Sequence, residues 1–133
     1  MDGQGGKMGK LLVEQIKLLC PQQTIYAIGT NSMAVAAMLK AGADYGAAGE
    51  NPVLVNARDA DIIAGPIGIV LADALFGEIT PAMARAVGES KAQKILIPIN
   101  RCQCFVTGSE TLTFAEHIHA AANQVAQLIS CRP

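Results

Sequence analysis

Apolar Met8, Leu11, Leu12, Ile16 and Leu19 recur at helical spacing between Lys7 and Cys20, so the chain is predicted to open with an amphipathic helix that Pro21 closes. The period then changes. Thr24 to Ile28, TIYAI, is β-branched and aromatic in the manner of a short buried strand, with Gly29 at its end. Asn31 or Ser32 caps a second helix, MAVAAMLKA, which stops at Gly42, and Ala43 to Ala47 reads as another short strand. Asn51 before Pro52 is a cap-then-proline start for a third helix running to about Arg58.

Farther along, Asp61 to Ala64 (DIIA) reads as a buried strand broken at Gly65-Pro66. Ile67 to Phe76 (IGIVLADALF) is most simply a buried helix, although IGIVLA also fits a strand. Thr80-Pro81 opens a helix through Val87, and Lys94 to Ile99 (KILIPI) is a strand with Pro98 near its end. Gln103 to Thr107 is expected to be a last strand. Thr113 and Glu116 form a capping box for a final helix ending near Ser130, with Phe114, Ile118, Ala121, Val125 and Leu128 inward. Short apolar strands alternating with helices imply a mostly parallel sheet covered on both faces. The expected architecture is one α/β domain over residues 1–133, three-layered and Rossmann-like, with no internal repeat.

Composition narrows the function classes. Hydrophobic residues make up 51% of the chain and charged residues 16%, which argues against disorder. A net charge of −1 and an aromatic content of 4% remove both the basic footprint and the stacking platforms of a nucleic-acid binder. No apolar run is long enough to span a bilayer and MDGQGGKMGK lacks a signal-peptide core, so a cytoplasmic protein with no membrane partner is expected. Cys20, Cys102, Cys104 and Cys131 are then read as free thiols, and no metal site is expected, because structural zinc needs four ligands at suitable spacing. His117 and His119 point to nearly opposite sides of a helix.

The candidate chemistry begins at Asp2-Gly3-Gln4-Gly5-Gly6-Lys7-Met8-Gly9, a glycine-rich turn leading straight into a helix. Glycines let backbone approach a phosphate, which the exposed amides and helix dipole then stabilise. The spacing is neither the strict dinucleotide fingerprint nor a Walker A motif. Such a turn should follow a strand, and only Met1 precedes it. The first strand therefore reads as truncated, because a missing central strand would leave both neighbours with unpaired backbone groups.

A second segment, Gly29-Thr30-Asn31-Ser32, lies where dinucleotide-binding folds place an acid on the ribose. No acid is present there. Thr30, Asn31 and Ser32 suit either a 2′-phosphate, favouring NADP, or ordinary helix capping. Gly65-Pro66-Ile67-Gly68 and Asn100-Arg101 follow other strands and should converge on the same crevice, with Arg101 able to grip a phosphate or carboxylate. Glu50, Glu78 and Glu89, in turn-like contexts, are candidate acids or bases or plain surface carboxylates.

The stretches DGQGGKMGK, AIGTNSMAVAAMLKAGAD, GENPVLVNARDADIIAGPIGI, GEITPAMARAVGESKA and KILIPINRC resemble a domain-of-unknown-function family of short bacterial proteins. The resemblance implies a Rossmann-like nucleotide binder with no assigned reaction. Together these readings predict a small phosphate-bearing ligand, NAD(P) foremost, held by Gly3, Gln4, Gly5, Gly6, Gly9, Thr30, Asn31, Ser32, Gly65, Pro66, Gly68, Asn100 and Arg101. In its enzyme version this is a small oxidoreductase that transfers hydride between the nicotinamide and a substrate; the rival readings are a nucleotide- or anion-sensing module without catalysis, and an interaction protein whose glycine loop is only a structural turn. A homodimer is expected from the apolar content, IGIVLADALF above all.

Overall fold

In the computed structural model, residues 1–99 and 104–130 are described. Helix α1 (Lys7–Leu19) forms on the expected stripe and buries Met8, Leu12 and Ile16, while Leu19 is exposed. Strand β1 (Tyr26–Gly29) leads to α2 (Ser32–Lys40), whose N-cap Asn31 accepts a hydrogen bond from the Ala34 amide at 2.8 Å. After Gly42, at φ 122°, β2 (Tyr45–Ala48) pairs in parallel with β1, Tyr26 opposite Tyr45.

Helix α3 (Glu50–Asp59) starts earlier than its proline suggests. Its N-cap is Gly49, at φ 114°, so Asn51 lies inside the helix and caps nothing. Strand β3 (Ile62–Pro66) runs through Gly65-Pro66 instead of breaking there, and pairs in parallel with β4 (Gln93–Ile97), Ile62 opposite Gln93. Pro66 closes its strand, where a missing amide costs least. Between these strands lies α4 (Pro81–Glu89), with Thr80 capping the Met83 amide. Helix α5 (Phe114–Ser130) opens on the Thr113–Glu116 reciprocal cap and buries Ile118, Ala121 and Val125, with Phe114 left exposed.

Two expected elements are absent. IGIVLADALF is not a helix: Ile67–Val70 makes one 3₁₀ turn, and Asp73, Leu75 and Phe76 then take left-handed φ values of 65°, 57° and 56°. The loop closes on itself, with the Asp73 amide donating to Ile79 O and the Ile79 amide to Ala74 O, so that Ala74 and Ile79 bury while Phe76 is 99% exposed. The apolar helix expected to form a dimer face therefore does not exist. Cys104 to Thr107, the described part of the expected last strand, form no strand; Gln103 lies outside the described residues.

Alternation along the strands feeds different cores. Ile28 and Ile63 pack with Val53, Ala57, Met83 and Val87 of α3 and α4, whereas Ile62 and Ala64 pack against the α1–α5 side and Ala27 against α1 and α2. Helices thus cover both sides of short parallel strands, as strands apolar on both faces require. The strands form two two-stranded sheets, β1–β2 and β3–β4, and Asp2 adds a single parallel bridge to Gly29. This is a mixed α/β fold in which Met1 and Asp2 stand between the two pairs.

Candidate functional site

Asp2 organises the glycine turn from beneath. It is 5% exposed, and its backbone locks to the end of β1, the Asp2 amide donating to Ile28 O and the Thr30 amide to Asp2 O. Its carboxylate accepts from the Gly3 amide at 2.8 Å and the Gly9 amide at 2.7 Å. Gly9 is the third residue of α1, so a buried negative charge sits against the positive end of that helix, where the dipole favours it. A buried carboxylate without those donors would be costly.

Three of the four turn glycines are explained by close packing. A Cβ on Gly3 would lie 2.7 Å from Thr30 Oγ1, one on Gly6 2.7 Å from the Ala34 backbone, and one on Gly9 2.5 Å from Met38 Sδ. Gly6 also needs its φ of 75°. Gly5 differs. It is exposed, its φ is ordinary, and a Cβ there would meet nothing within 4 Å. Beside it, the amides of Gly5, Lys7 and Met8 have no protein partner among the described residues, because Asp2 reaches only the amides of Gly3 and Gly9.

Above the turn lies Glu78, delivered by the left-handed loop. Its Oε1 accepts from the Gln4 amide at 2.9 Å, Thr30 Oγ1 at 2.5 Å and Asn31 Nδ2 at 2.8 Å, while Asn31 Nδ2 also donates to Gln4 O at 2.9 Å. Burial pushes the Glu78 pKa up, but the bonds from Thr30, Gln4 and Asn31 outweigh it and hold the carboxyl below its ordinary value. The acid missing from the end of β1 in sequence is thus supplied in space, from 48 positions beyond Thr30.

The other expected site residues divide. Ser32 is exposed at the first turn of α2. Leu75 lies against both Gly3 and Gly68, so one side chain of the left-handed loop stands between the Gly65–Gly68 segment and the glycine turn. Gly65 and Pro66 are buried strand residues, and a Cβ on Gly65 would fall 2.2 Å from Met1 O. Asn100 and Arg101 lie outside the described residues. Glu50 holds the Thr80 hydroxyl at 2.6 Å, and Glu89 pairs with Arg85 on the surface.

A family model described as a domain of unknown function, DUF3842, matches residues 1–130. The chain belongs to the DUF3842 family. No curated protein and no solved structure matches it. Among the described residues of this DUF3842 chain, no helix is long and apolar enough to cross a membrane.

Proposed function

We propose that this DUF3842 protein binds a small phosphate-bearing ligand, foremost the dinucleotide NAD, over the glycine turn of a Rossmann-like fold. The observation that carries this is the open face of Gly5, whose amide and those of Lys7 and Met8 are unpartnered among the described residues at the start of a 13-residue helix. Backbone amides at a helix start are suited to a diphosphate, and Gly5 leaves room for it to approach. Glu78 supports NAD over NADP: an ionised carboxylate between Thr30 and Asn31 can accept a ribose hydroxyl and repels a 2′-phosphate. Thr30 and Asn31 are thereby drawn into holding Glu78 instead of awaiting a phosphate. Hydride transfer is what a bound nicotinamide supplies, and this chain's part is to hold and orient it.

A second reading has its own support. Asp2 already satisfies two turn amides, and packing accounts for Gly3, Gly6 and Gly9, which suits a purely structural turn in an interaction protein. Gly5→Val separates the two, because Val fits the free space without disturbing the turn. Calorimetric titration and thermal shift with NAD, NADP, ATP and phosphate provide the test. At 100 times the dissociation constant NAD should stabilise the wild-type protein by about 2.7 kcal/mol, and Gly5→Val should abolish this while melting normally. Equal binding by both proteins, or by neither, favours the structural turn.

A further inference from the structure

The loop that delivers Glu78 also carries the most exposed large apolar side chain among the described residues: Phe76 is 99% exposed, against 75% for Leu18, the next. A lone exposed apolar residue is ordinary on a protein surface. Phe76, however, also stands at φ 56°, in the left-handed region that a residue with a Cβ rarely adopts. Its ring buries nothing that could offset that cost. Neither the hydrophobic effect nor backbone preference puts a phenylalanine here.

The segment around it is nevertheless fixed. The Gly77 amide donates to Asp73 O and the Glu78 amide to Leu75 O, each at 3.1 Å, closing the turn around Phe76. Just before it, Leu75 Cδ1 lies 2.8 Å from where a Gly3 Cβ would stand. Just after it, Glu78 Oε1 accepts from the Gln4 amide, Thr30 and Asn31, while Glu78 Oε2 has no partner among the described residues. Phe76 is therefore one residue from one contact with the glycine turn and two from another, on a rim that moves only if both break. Three of the other four aromatic rings already have partners: Tyr26 and Tyr45 stack with centroids 5.2 Å apart, and Phe114 lies under the Lys7 ammonium at 5.6 Å.

We propose that Phe76 is a stacking platform for the planar base of the nucleotide whose ribose hydroxyl reaches Glu78. This rests on the glycine-turn reading and extends it: the turn amides hold phosphate, Glu78 Oε2 accepts from the ribose, and the Phe76 ring carries the base. Those are the parts of one nucleotide in the order in which they are joined. Covering the ring takes its apolar face out of water, which the free protein leaves undone. Stacking tolerates any base, because every base has a π face, so the platform selects nucleotides over bare phosphates without choosing among bases.

The test titrates pyrophosphate, ADP and NAD into wild type, Phe76→Ala and Phe76→Trp by calorimetry, with melting temperature and sedimentation followed alongside. Pyrophosphate has no base and reads the glycine turn alone. Phe76→Ala should weaken ADP and NAD about tenfold, leave pyrophosphate unchanged and melt no lower than wild type. The Phe76→Trp protein, otherwise free of tryptophan, should bind ADP as tightly as wild type, with its indole emission quenched by ADP and not by pyrophosphate. Equal ADP and NAD affinities in wild type and Phe76→Ala, with pyrophosphate bound by both, would overturn the platform and leave the glycine-turn reading standing. Failure of wild type to bind any of the three would overturn both. A Phe76→Ala change that only converts a dimer to a monomer would overturn the platform too, and assign Phe76 to a second copy of the chain.

Discussion

The gap between β1 and β3 has two unlike ends. At the carboxyl end Met1 and Asp2 fill it, the Asp2 carboxylate holds two amides, and Glu78 fastens the turn to Thr30 and Asn31. At the amino end, backbone groups of Tyr26, Ile28, Ile62 and Ala64 face an apolar cavity. Strands β1 and β3 border both ends, and the ends differ in whether a chain segment lies between the two edges. Where two residues do so, the turn is fixed closely enough for one glycine, Gly5, to be left free at its surface.

Removing the segment's polar anchor should erase the contrast with the largest effect. Asp2→Ala leaves the Gly3 and Gly9 amides buried without an acceptor and should cost about 3 kcal/mol in urea denaturation. Gly9→Ala presses a methyl group toward Met38 Sδ and Asp2 Cβ and should cost about 2 kcal/mol, since both neighbours are buried. Glu78 has a smaller, pH-dependent role. Because its folded pKa lies below its ordinary value, its stabilisation is fully present above about pH 4.3 and is lost as pH falls through the folded pKa. Acid melting curves should therefore be steeper for wild type than for Glu78→Gln, and parallel curves would remove Glu78 from the account. Gly5→Val should change stability least, by no more than about 0.5 kcal/mol, while removing NAD binding.

Local rules made much of the fold legible. The α1 stripe, the Asn31 and Thr80 caps and the Thr113–Glu116 box each act within a few residues, and each stands where sequence puts it. IGIVLADALF failed because its apolar positions serve a loop closed by Asp73 and Ile79, in which left-handed residues are held by tertiary contacts that periodicity does not register. Asn51-Pro52 misled by a smaller margin, because Gly49 offers the turn into α3 first. At the site, the glycine turn was plain, but the reasons for its glycines were mixed: three answer to Thr30, Ala34 and Met38, which only the packed chain brings near. Glu78 stood among three loop carboxylates in sequence, and nothing local ties it to Gln4, 74 positions away.

Residue-resolved amide exchange, with and without NAD, tests the contrast most directly. Slow exchange is expected at Gly3 and Gly9 and fast exchange at Ile28 and Ala64 in both samples, with Gly5, Lys7 and Met8 slowed only when NAD is present. Exchange at Ile28 and Ala64 as slow as at Gly9, or no response to NAD at Gly5, Lys7 and Met8, would contradict it.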